Sequence, residues 1–123
     1  MATTVISIGP FRDVHDIDVT TIKGRRFTID IYKNNGDFDS EVTILDSVSN
    51  HPGSWVYNTK PASTSATDNF DAAIELIKNY LSQVDHQDEI KDIHNPCNTP
   101  FISEADQNSL LSSKGINISV RVN

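Results

Sequence analysis

The chain has 123 residues, a length typical of one domain, and Leu, Ile, Val and Phe supply 33 of them, enough for a hydrophobic core. Seventeen Asp and Glu against ten Lys and Arg leave a net charge of −7. Phosphate binding needs a surplus of cations to displace counterions, so neither nucleic acid nor an anionic membrane surface is an expected partner.

One cysteine, Cys97, excludes an internal disulfide and with it a disulfide-stapled secreted scaffold. The first residues lack a basic start followed by an apolar run of signal-peptide length, and no stretch nears the roughly 20 apolar residues of a bilayer span. A soluble, cytoplasmic protein is expected. The acidity is uneven, with net −2 in residues 1–60 and net −5 in residues 61–123. Fourteen Ile and nine Val against five Leu favour strands, because β-branched side chains fit a pleated surface.

Thr3–Ile8 reads as a first strand closed by Gly9-Pro10, and Asp16–Ile22 as a second, joined by Lys23-Gly24-Arg25 to Arg26–Lys33. That third run alternates, with Phe27, Ile29 and Ile31 on one face and Thr28, Asp30 and Tyr32 on the other. Asn35-Gly36 then separates it from the β-branched run Glu41–Val48, and Asn-Gly is the strongest short hairpin signal. Centring the turn there places Phe27 opposite Ile44, Ile29 opposite Val42 and Thr28 opposite Thr43. Ser54–Thr59, after the turn Asn50-His51-Pro52-Gly53, carries Trp55 and Tyr57 at period two and completes a meander. Residues 60–67 are small and polar, a connector.

The period then changes. Phe70, Ile74, Ile77, Leu81 and Val84 recur at helical spacing, and the pattern predicts an amphipathic helix over 68–84, capped by Thr67 or Asp68. Residues 85–102 show no period and read as a loop. Ser103 to Asp106 has a capping-box-like spacing, and a short helix to Lys114 stops at Gly115, with Ile116 placed to touch Leu111. Ile116, Ile118, Val120 and Val122 alternate with polar residues, as in a half-buried last strand. The expected architecture is one α+β domain over 1–123: an antiparallel sheet of five or six strands, formed by the N-terminal meander and a C-terminal strand, with the long helix on one face and a short second helix.

Chemistry is sparse. His86, His94 and Cys97, with Asp85, Asp88 or Asp92, gather reactive side chains in the 85–102 stretch, but lack the spacings that mark zinc sites. Cys97 beside His94 has no sequence sign of an oxyanion donor or a lowered thiol pKa. No metal and no cofactor is expected. His15-Asp16-Ile17-Asp18 puts two acids on one strand face, with Ile17 and Val19 inward. Asp30 falls opposite Glu41, an unfavourable like-charge pair. A neighbouring cation such as Arg26, a carboxylate pair that binds a metal or has one raised pKa, and a different register all remain open explanations.

The acids around Asp37–Glu41 do not match a calcium loop, where the glycine follows the first ligands. Asn117-Ile118-Ser119 is a chance glycosylation match, and Lys23-Gly24-Arg25-Arg26 reads as a solvated hairpin tip. Trp55 and Tyr57 share a face and suit either a core or an interface. The expected function is a small acidic protein-binding module without catalytic activity, of the inhibitor, immunity or accessory kind. Its partner is another protein, with Trp55, Tyr57, His86 and His94 as candidate contacts, and an unpaired edge strand is compatible with a homodimer. The rival is a small enzyme or ligand-binding domain that uses the 85–101 histidines over the open sheet face.

Overall fold

A computed structural model describes residues 14–34, 37–59, 65–96 and 102–122. The strand expected at Thr3–Ile8, the turn pair Asn35-Gly36 and Cys97 lie outside the described residues. The order is β1 (Val14–Thr21), β2 (Arg26–Asn34), β3 (Asp37–Asp46), β4 (Gly53–Asn58), α1 (Ala66–Val84), β5 (Ile90–His94) and α2 (Glu104–Ser113). The five strands form one antiparallel sheet in the order β4-β3-β2-β1-β5. This is the expected α+β class.

The central hairpin has the expected register: Phe27 pairs with Ile44, Thr28 with Thr43 and Ile29 with Val42. Between β1 and β2 the turn needs one residue beyond the reach of an L side chain, and Gly24 supplies it at φ 104. Period two then sends Ile17, Val19, Phe27, Ile29, Ile31, Val42 and Ile44 to one face, all buried.

Helix α1 lies across that face and contacts β2 and β3. Its stripe of Phe70, Ala73, Ile74, Ile77 and Leu81 is buried in the same cluster as the strand residues, Ile93, Leu111 and Val120. The start is two residues earlier than the periodicity suggests. Ser65, not Thr67 or Asp68, is the cap, and its Oγ accepts from the amides of Thr67 and Asp68. Asn69 ties this end to the sheet. Its Nδ2 donates to the carbonyls of Phe38 (3.1 Å) and Ser65 (3.0 Å), and its Oδ1 accepts from buried Ser40 Oγ at 2.8 Å.

Two segments depart from the sequence reading. The supposed loop over 85–102 contains β5, which pairs with β1 through Asp18–His94, Val19–Ile93 and Thr20–Asp92, with an irregularity at Thr20/Thr21. The chain end is not a strand of the sheet. It alternates as expected, with Val120 buried between exposed Ser119 and Arg121, but meets the sheet through a single parallel bridge of Arg121 to His94. There Arg121 N–H donates to the Ile93 carbonyl (2.7 Å), and Asn95 N–H donates to the Arg121 carbonyl (2.8 Å). Helix α2 ends as expected: Gly115 has φ 76, Gly115 N–H donates to Ser112 O, and Ile116 N–H to Leu111 O.

The Asn69 linkage generates a prediction. Asn69→Ala removes the hydrogen bonds that Asn69 makes with Ser40 Oγ and with the Phe38 and Ser65 carbonyls, and is expected to cost about 1–3 kcal/mol in urea denaturation. A variant as stable as the parent protein contradicts that role.

Candidate functional site

The sequence candidates do not converge. Trp55 and Tyr57 lie on edge strand β4, paired with Ile44 and Val42, and so on the helix side of the sheet. Both are partly exposed, and the Trp55 ring sits 6.4 Å from that of Tyr80 on α1. His94 lies on β5, the opposite edge. Its Nε2 is buried without a hydrogen-bond partner among the described residues. Four strand spacings, about 19 Å, separate the two edges. His86 is exposed in the turn after α1 and lines a cleft of about 410 Å³, with Lys78, Leu81, Ile90, Ile116 and Ile118; His94 is not part of it. Among the described residues no three His, Cys, Asp or Glu side chains are grouped to hold a metal ion.

Two charged clusters are better defined than any of these. The first is buried. Arg25, 1% exposed, sits in the β1–β2 turn and is no part of a solvated tip. Its Nε donates to Asp46 (3.0 Å), Nη1 to Asp88 (2.8 Å) and Asp85 (3.1 Å), and Nη2 to Ser49 Oγ (2.8 Å). Asp88 also accepts from Thr21 Oγ1 at 2.6 Å and from the amides of Lys23 and Glu89 at 3.0 Å. Asp46 further accepts from Tyr80 Oη at 2.5 Å, from Ser49 Oγ, and from the amides of Val48 and Ser49.

Burial opposes ionisation of Asp46, but these hydrogen bonds outweigh it and hold the carboxyl well below its usual range. Asp88 follows the same pattern through Thr21 and Arg25. Tyr80, desolvated and bonded to a carboxylate, is pushed up to about 12. Every charge here has an internal partner. The cluster is a structural hub.

The second cluster lies on the other face, against which no described helix packs. Strand pairing sets Asp16 beside Asp30 and Asp30 beside Glu41, three acids abreast on adjacent strands. Asp18 is two residues further along β1, on the same face, and accepts from Thr28 Oγ1 at 3.3 Å. Arg26 does not neutralise the row, for it lies four residues from Asp30 along β2, where its strand partners are Thr20 and Leu45. Among the described residues no ion pair reaches Asp16, Asp30 or Glu41.

The consequence falls on the middle carboxyl. Desolvation, a hydrogen bond with Asp16, and the charges of Asp16, Glu41 and Asp18 push Asp30 up to about 8. Of the three explanations, a different register and a neutralising Arg26 are ruled out by the strand pairing, which leaves the carboxylate group with one raised pKa. None of the three acids lines the cleft beside His86 or the groove between β4 and α1.

Comparison of the chain with protein-family models, with curated proteins and with solved structures finds no match in any of the three.

The two clusters act oppositely with pH. A free aspartate releases its proton near 3.9, whereas Asp30 keeps it to about 8. On its account stability falls as pH rises from about 4 to 8 and is level above that. Asp46, Asp85 and Asp88, held below their usual range, add stability above the unfolded pKa and lose it in acid. Asp30→Asn removes the first effect only. Its stability relative to the parent protein is expected to rise between pH 5 and pH 8.5 by about 1 kcal/mol or more, since each unit of raised pKa corresponds to about 1.4 kcal/mol. Urea denaturation across that range reads it, and a difference that does not change with pH contradicts the assignment.

Proposed function

We propose that the protein is a non-catalytic binding module whose acidic sheet face receives a basic surface of a protein partner. The observation that carries this reading is the row Asp16–Asp30–Glu41. Desolvation and three neighbouring carboxyls that no cation among the described residues pairs with keep a proton on the middle one up to about 8. A Lys or Arg supplied from outside relieves that repulsion, releases the proton and gains a charge-assisted hydrogen bond. Arg is the better fit for a flat carboxylate pair, because its fork donates in a plane.

Several features support binding over catalysis. The acids stand on a sheet face, outside both concave sites, whereas catalytic groups converge in clefts that exclude water. The two histidines that a catalytic reading requires are separated. The net charge of −7 favours fast, salt-sensitive encounter with cationic partners. The inhibitor, immunity and accessory roles expected from the sequence all fit such a face.

Titration of isotopically labelled protein with an octalysine peptide tests the site by NMR. Shifts are expected to concentrate on Thr28, Asp30 and Thr43, to weaken at high salt, and to vanish in Asp16→Asn/Glu41→Gln. Shifts spread over the whole acidic surface, or turnover in a broad hydrolase screen, contradict the reading.

A further inference from the structure

We propose that β4 is a pairing edge for a second copy of this chain, joining two five-stranded sheets into one continuous ten-stranded sheet. Strand β4 ends the sheet, and all six of its residues are exposed. In an antiparallel strand alternate residues turn their N–H and C=O groups away from the neighbour they pair with. Half of β4 therefore presents backbone donors and acceptors outward, and among the described residues no strand takes them.

The side chains around this edge are unusual for a protein of net charge −7. Among the described residues seven large hydrophobic side chains are exposed, and five of them, Leu45, Val48, Trp55, Val56 and Tyr57, belong to the β3–β4 hairpin. Val56 is 60% exposed, Tyr57 44% and Trp55 38%. Residues 47–59 contain no Asp, Glu, Lys or Arg, the longest such stretch in the chain. Natural sheets guard open edges with Lys, Pro, bulges or inward charges, and Gly53–Asn58 has none of these. The other edge is different: β5 carries Lys91 and Asp92, and the Arg121 bridge covers part of it.

The occupant follows from symmetry and charge. Antiparallel pairing of a strand with itself closes under a two-fold axis normal to the sheet, so each copy presents the same patch to the other. Centred on Val56, that pairing sets Trp55 opposite Tyr57 of the other copy on the helix side and Val56 opposite Val56 on the open side. Both helices then lie on one face. The groove of about 500 Å³ between β4 and α1, lined by Tyr57, Leu76, Asn79 and Tyr80, opens beside the joined aromatics.

Two bodies of equal negative charge repel, and this neutral strip is where they meet with least opposition. The nearest acids of the row, one Glu41 on each β3, stand three strand spacings apart, about 14 Å. That exceeds a Debye length of about 8 Å at physiological salt. Both acidic rows end on the same continuous face, so the dimer offers it twice. The pairing does not depend on what that face binds.

Sedimentation equilibrium of the full chain, with amide hydrogen exchange, tests the inference. The expected mass is twice the 13.6 kDa of one chain, and β4 amide protection rises with protein concentration. Val56→Lys, which adds an edge charge at an exposed position, is expected to weaken association by about tenfold or more, with unchanged circular dichroism. A single-chain mass at about 200 µM, where even a weak specific dimer forms, overturns the proposal. So does a dimer that Val56→Lys leaves equally tight with β4 amides unprotected.

Discussion

Arg25 is the point on which the remaining structure depends. One guanidinium, buried in a two-strand turn, holds the end of β3 through Asp46, the end of α1 through Asp85 and the approach to β5 through Asp88. These segments are distant in sequence, and hydrophobic burial alone does not fix their relative register, since apolar contacts have little direction. Burying these charges is expensive, and pairing with hydrogen bonds only offsets that expense. What the arrangement adds is specificity. Lys23 N–H and Glu89 N–H both bond Asp88, and Ile22 N–H bonds Glu89 O at 2.9 Å, so the hub aligns β5 with β1 where the ladder itself is irregular.

Charge is thereby sorted into two layers. On the helix side the acids are ionised and satisfied by Arg25, Tyr80, Ser49 and backbone amides. On the open side desolvation and the neighbouring Asp16 and Glu41 oppose ionisation of Asp30. The first layer holds the fold together. The second keeps an electrostatic penalty that no ion pair among the described residues relieves, and raised carboxyl pKa values of this kind cluster at functional sites. The β4 edge, Gly53–Asn58, carries no charged side chain and stands apart from both layers.

Much of this was legible in the residues. The Asn-Gly pair as a sequence signal and the period-two stripes predicted the β2–β3 register, and the helical spacing from Phe70 to Leu81 predicted the face that α1 buries. The same register, extended by one pair, opposes Arg25 to Asp46, with Arg25 in phase with Phe27 and Asp46 in phase with Ile44. That parity was the available signal for the hub, and the adjacent charges of Lys23 and Arg26 masked it. Asp30 opposite Glu41 was visible, but the β1–β2 register that adds Asp16 depends on the Gly24 turn. Strand β5 was hidden because five residues with one fully buried side chain, Ile93, give no period. The tail shows the reverse: its alternation is real, but a strand needs a ladder, and only Arg121 finds one.

Removal of the guanidinium tests the central dependence most directly. Arg25→Met keeps the volume and apolar stem while leaving Asp46 and Asp88 buried without their cation. Urea denaturation at pH 7 is expected to show a loss of about 3–5 kcal/mol, the scale of a broken buried ion pair. The gap should shrink as acid protonates the two carboxyls. A loss below about 1 kcal/mol that stays constant with pH would mean that the fold does not depend on Arg25.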